Sequence, residues 1–249
     1  MTLTAKRLGV SLAVGASLVA VMTSVAGVEL TPFSSATGAT VPAPWQYIAL
    51  PERYAKPLTA IDIHSLDGKK TLRLRADKSW GTVAHPLTGA GVGAAKTIEF
   101  QWRLDKPLPQ ASFKTKATED AAIKVCASFD MPAERMPVGE RTLFKLAQFF
   151  SREKLPTATL CYVWANAEEL SSIHNSPTTA RVRYMVLDNS SSPLKTWKSH
   201  KRNLSDDFLK AFSAESPSIP AVTAIIVGAD ADNTLDTSLG YVADIVLQP

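Results

Sequence analysis

The chain has 249 residues, with 27 Lys and Arg against 23 Asp and Glu and a formal net charge of +4. That bias is too weak to argue for nucleic acid or an anionic membrane as partner. The length suits one β-sandwich with decorations or two small domains. Two cysteines, with no CxxC and no paired histidines, give no support to a zinc site.

Lys6 and Arg7 form a basic start, Leu8–Met22 is an apolar run without charge, and Ser24-Val25-Ala26 offers the small residues a signal peptidase needs. The run falls short of the roughly 20 apolar residues that span a bilayer. We read residues 1–26 as a cleaved signal peptide and expect an exported protein, periplasmic or secreted, with no membrane span after cleavage. Removing the leader takes Lys6 and Arg7 with it and brings the charge closer to neutral. The roughly 220 residues left can bury a substantial core without obligatory disulfides.

Residues 27–44 are rich in Thr, Ser, Pro, Gly and Ala and read as a flexible leader into a domain over 45–249. Trp45–Leu50 is the first expected strand. Ile61–Ser65 and Thr71–Ala76 follow, joined by the tight-turn pair Asp67-Gly68. In Leu72-Arg73-Leu74-Arg75 the alternation puts leucines on one face and arginines on the other, as in a sheet wetted on one side. Thr97–Leu104, Ala121–Phe129, Thr159–Ala165, Arg181–Leu187 and Thr196–Leu204 supply further strands, and Val222–Val227 and Tyr241–Leu247 close the chain. Cys126 points away from Ile123, Val125 and Phe129, and Cys161 shares its face with Val163. A disulfide and two buried thiols both remain open at this stage. Glu140–Lys154 has a helical period, and Ser205-Asp206-Asp207 before Phe208–Phe212 reads as the start of a capped short helix. The expectation is an all-β, jelly-roll-like antiparallel sandwich with one or two short inserted helices.

Several segments together carry a family resemblance. They are Gln101–Leu108 with Glu119-Asp120, Leu155–Asn166, Arg181–Leu187, Trp197–Phe212 and the GADADNT…YVADI ending. The chain from about Trp45 onward resembles a family of exported bacterial proteins catalogued as domain of unknown function 3047. The resemblance implies a fold similar to the galactose-binding-type jelly roll of many carbohydrate-binding modules, and it implies no activity. One departure is Gly240-Tyr241-Val242 before Ala243-Asp244, where the pattern has an aromatic, a small residue and then Asp.

The expected ligand-binding residues are Asp230, Asp232, Asn233 and Trp197. Asp230, Asp232 and Asn233 place three oxygen-bearing side chains within four residues, which suits calcium or a polyol. The same residues also serve ordinary turn chemistry. In jelly-roll modules similar to this one an acid on the last strand helps hold a structural calcium, so Asp244 completes the expected metal set. Trp102 and Trp164 read as core, while Trp197, set in the basic run Lys195–Arg202, reads as exposed. No GxSxG, HExxH or P-loop pattern occurs. The expected job is non-catalytic binding of a glycan or cell-envelope polymer, with calcium as the one cofactor considered. The alternatives are a glycan hydrolase using paired carboxylates such as Asp120 and Asp232, and an envelope scaffolding protein.

Overall fold

The computed structural model describes residues 30–48, 56–87, 96–142, 144 and 156–248. The expected signal peptide lies outside them. Residues 138–142 are helical, and apart from Phe144 the rest of the helix expected over Glu140–Lys154 also falls outside.

Two sheets pack face to face. One holds β1 (Gln46–Ile48), β4 (Trp80–Pro86), β11 (Val222–Asp230), β6 (Ala121–Phe129), β7 (Ala158–Trp164), β9 (Val182–Asp188) and β8 (Ile173–Asn175), in that spatial order. The other runs β10 (Lys198–Asn203), β5 (Thr97–Lys106), β12 (Thr237–Val242), β3 (Lys69–Asp77) and β2 (Ala60–Leu66), with β13 (Val246–Gln248) also on β5. From β3 to β6, and again from β10 to β12, the chain changes sheet at every step, the crossing habit of a jelly roll. Among the named strands pairing is antiparallel except between β7 and β9, which run parallel.

The inner faces follow the side-chain alternation of a pleated strand. Leu72 and Leu74 of β3 and Ile98, Phe100, Trp102 and Leu104 of β5 meet Ile123, Val125, Ala127, Leu160 and Tyr162 from the other sheet in one core. Gly240 of β12 lets the sheets approach closely, since a Cβ there would lie 3.1 Å from the Ile123 side chain. One end is closed by helix α1 (Leu204–Phe212), whose Phe208 and Phe212 are buried beside Phe129. Asn203 caps α1 by accepting the Asp206 N–H at 3.1 Å, so the helix starts before the expected Ser205.

The two outer faces differ. All nine residues of β6 are buried, because the seven-stranded sheet carries a second apolar layer outside it. Phe113, Val163, Tyr184 and Val186 form that layer around a disulfide between Cys126 and Cys161. These cysteines are direct cross-strand partners, which decides the choice the sequence left open. The outer face of the six-stranded sheet instead stays polar.

Two expectations need correction. The stretch read as a flexible leader is seated on the fold from Leu30 onward: Leu30, Phe33, Ala36 and Trp45 belong to the core, and apolar side chains of that size anchor a segment. The last strand is also interrupted. Asp244 lies in the break between β12 and β13, because its carboxylate turns to the Ser34 N–H (2.9 Å) and the Ser34 hydroxyl (2.5 Å).

Candidate functional site

The acidic loop forms where β11 leaves one sheet and β12 enters the other. Asp230 is the final residue of β11 rather than a loop residue. Its carboxylate accepts the Ala121 N–H at 2.9 Å and the Lys124 ammonium at 2.7 Å. Burial pushes its pKa above the ordinary Asp value, against the pull of Lys124. Asp120 faces the loop that follows. It accepts from the backbone N–H groups of Asn233 (3.2 Å) and Thr234 (2.7 Å), from the Asn233 amide (3.2 Å) and from the Thr234 hydroxyl (2.6 Å). Asp232 pairs with Lys56. Every carboxylate here therefore has a cation or a set of N–H and O–H donors already aimed at it.

That arrangement does not fit calcium. A hard cation needs six to eight oxygens turned inward on one point, whereas these oxygens are turned toward Lys124, Lys56 and backbone donors. Asp244 stands beyond the opposite end of β12, about 20 Å along the strand direction. Among the described residues no group of three or more His, Cys, Asp or Glu could hold a metal ion. The expected set of Asp230, Asp232, Asn233 and Asp244 is thus split between two ends of the sandwich. The paired-acid idea meets the same geometry, since Asp120 and Asp232 are both committed to loop contacts.

Trp197 lies elsewhere, immediately before β10 and half-buried. Trp102 and Trp164 are core residues, 0% and 2% exposed. Strand register builds a transverse row on the polar outer face around Trp197. Asp62 pairs with Arg73, Arg73 with Tyr241, and Tyr241 with Arg103. Trp197 continues the row one residue before the pair of Lys198 with Trp102. With strands about 4.8 Å apart the row crosses roughly 19 Å of sheet.

Each guanidinium in the row is held flat by a carboxylate. Arg73 donates through Nε (2.9 Å) and Nη2 (2.6 Å) to Asp62. The hydrogen bonds from Arg73 hold the Asp62 carboxyl below its ordinary pKa, and burial opposes them. Arg103 does the same to Asp105, at 2.7 and 3.1 Å. The Tyr241 ring is buried between the two arginine strands, and burial followed by the Asp105 charge raises its pKa. The indole N–H of Trp197 donates to Asp67 at 3.1 Å, and the Lys69 ammonium lies 5.0 Å over its ring.

Beneath the same edge, Asp188 is buried and accepts from Trp102 Nε1 (2.8 Å) and the Ser192 hydroxyl (2.7 Å), with His200 Nε2 at 2.7 Å. Burial works against its charge, but the bonds to His200, Ser192 and Trp102 hold its pKa below the ordinary value. Through His200 it fastens β10 to the core.

Of the four expected ligand residues, Asp230, Asp232 and Asn233 share one rim and Trp197 stands apart from them. Sequence reasoning missed Asp62, Asp67, Arg103 and Asp105 as members of one surface. The signals for them were the Leu-Arg-Leu-Arg alternation of β3 and the like alternation of β5, which point Arg73, Arg103 and Asp105 to the wet face without saying what stands beside them.

The chain belongs to the family described as protein of unknown function (DUF3047), whose model matches residues 43–246. No curated protein matches it. Among solved structures it is similar to the K1 cleaved adhesin domain of Lys-gingipain from Porphyromonas gingivalis W83. Identity there is 9%, covering 88% of this chain and 95% of that one, with a TM-score of 0.35. It is also similar to the xyloglucanase domain of NopAA, a type three effector from Sinorhizobium fredii in complex with cellobiose. Those values are 9% identity, 83% of this chain, 98% of that chain and a TM-score of 0.39.

Proposed function

We propose that this DUF3047 member is an exported, non-catalytic module that binds a carbohydrate or related cell-envelope polymer on the outer face of its six-stranded sheet. The observation that carries the reading is the row Asp62–Arg73–Tyr241–Arg103 ending at Trp197. Flat, bidentate Arg–carboxylate pairs present fixed donors and acceptors to vicinal hydroxyls, and an indole at the edge offers a surface for the C–H face of a pyranose. The opposite outer face is covered by its own apolar layer, which leaves this one for a partner. Export is supported by the Cys126–Cys161 disulfide, which persists in an oxidising compartment.

The test is a glycan array probed with residues 27–249, followed by titration of the best ligand. Trp197→Ala should weaken binding by about tenfold while leaving the far-ultraviolet circular dichroism unchanged. Failure of every glycan to bind, or equal binding by the variant, would refute the proposal. No reducing sugar should be released from a bound glycan.

A further inference from the structure

The outer face is not open along its whole length, because the tip of the β2–β3 hairpin leans over it. The tip is a two-residue turn at Asp67 and Gly68, with φ of 52° and 74°, the left-handed pair that a tight hairpin requires. The hairpin is separated from β5 by β12, about 10 Å of sheet. Even so, Asp67 Oδ2 accepts from Arg103 Nη1 on β5 at 2.8 Å and from Trp197 Nε1 beyond it at 3.1 Å. Lys69, on the far side of the turn, donates to Gln101 Oε1 at 2.7 Å, and Gln101 in turn donates to Ser199 at 3.0 Å.

The two sides of the Asp67 contact are unequal. The Arg103 side chain is 14% exposed and fixed by Asp105, whereas the Asp67 side chain is 53% exposed. The donors form an ordered seat and the acceptor is a solvent-facing visitor. An ion pair with one partner so exposed is weakly held. The seat has the chemistry of a carboxylate receptor: a guanidinium N–H and an indole N–H converge on one oxygen, and the Lys69 ammonium stands over the same ring.

We infer that the Asp67 carboxylate is a resident stand-in for the carboxylate of an acidic sugar. A uronate polymer takes its place at Arg103 and Trp197, stacks its ring on the indole and lifts the hairpin tip from the face. This rests on the reading of that face as a glycan surface and adds to it the ligand class and a built-in competitor. A neutral sugar carries no charge to replace Asp67, so it gains nothing from the seat.

The experiment titrates residues 27–249 with polygalacturonate, its methyl ester and polyglutamate, using wild type, Asp67→Asn and Arg103→Gln. Asparagine tolerates the left-handed turn, and circular dichroism confirms the fold of each variant. Wild type should prefer polygalacturonate to its ester. Asp67→Asn should bind polygalacturonate about three- to fivefold tighter, because the seat is then vacant more of the time. Arg103→Gln should lose the preference. Equal binding of the ester and the acid, an unchanged affinity in Asp67→Asn, or polyglutamate binding as tightly as polygalacturonate would each overturn the carboxylate seat while leaving glycan binding intact. If no sugar polymer binds any variant, the glycan reading itself falls and the seat falls with it.

Discussion

Asp230 Oδ2 and Lys124 Nζ meet at 2.7 Å across β11 and β6, and each side chain is only 9% exposed. Burial of that pair has a consequence that an exposed pair would not. Removing the cation leaves an uncompensated carboxylate among the Ala121 backbone, Tyr184 and Asp120. Lys124→Met should therefore cost about 3–5 kcal/mol, read from the urea unfolding midpoint. Adding Asp230→Asn should recover part of that loss, because the amide brings no buried charge. A double variant no more stable than Lys124→Met alone would show that the pair is not the source of the effect.

This pair also shows what the sequence could and could not tell. The alternation in Ala121–Phe129 is readable, and it assigns Lys124 and Cys126 to the face opposite Ile123 and Val125. It also predicts that Lys124 should be wet, since alternation distinguishes the two faces and not what covers them. Phe113, eight residues before the strand, supplies part of the cover, and no local period reports that contact. The acidic loop shows the same limit. Asp230, Asp232 and Asn233 are visible as oxygen-rich, but Lys56, Lys124 and Asp120, which occupy those oxygens or hold that loop, come from 106 or more residues away. The three-residue β8 is too short to show a period at all.

Asp120 makes a separate prediction for that loop. It is the acceptor for two backbone N–H groups and two side chains of Asn233 and Thr234. Asp120→Ala should speed amide exchange at Thr234 by at least tenfold, since a charge-assisted bond is worth about 1.5–3 kcal/mol. Exchange in the central strands β6 and β7 should change little. Because the same oxygens are not free for a cation, millimolar calcium should leave the exchange pattern of wild type unchanged.

The disulfide offers a further test. Cys126 and Cys161 close a loop with a sequence separation of 35. For a loop of that length the chain-entropy model gives about 3–4 kcal/mol of stabilisation. Urea unfolding of wild type with and without reductant should differ by roughly that amount. The reduced protein should remain folded at 25 °C, because the main core lies on the other face of β6 and β7. Loss of the fold on reduction would mean that the outer layer carries more of the stability than its size suggests.

Two groups of titrating residues should separate on the pH axis. Asp62 and Asp188 have pKa values below the ordinary 3.8 in the folded chain. Their contribution is complete above that value and is lost as pH falls through the folded pKa. His85 acts at higher pH. Its Nε2 accepts the Thr31 N–H at 3.1 Å while Nδ1 lies 2.9 Å from the Pro86 carbonyl, which fixes the proton on Nδ1. Burial lowers its pKa from 6.5, so below 6.5 the unfolded chain takes up a proton that the folded chain resists. Stability from His85 is therefore complete above 6.5 and declines as pH falls from there toward the folded pKa. Protonation also removes the acceptor that holds Thr31, and Trp45 Nε1 donates to the Thr31 carbonyl at 2.7 Å. The amides of residues 31–36 should thus exchange faster at pH 5.5 than their intrinsic rates account for. In His85→Gln, whose amide can serve both partners without titrating, the melting temperature should change less between pH 7 and pH 5.5 than in wild type. An equal change in the two proteins would place the pH sensitivity elsewhere and leave the N-terminal segment held by its apolar anchors and the Asp244–Ser34 contact without help from His85.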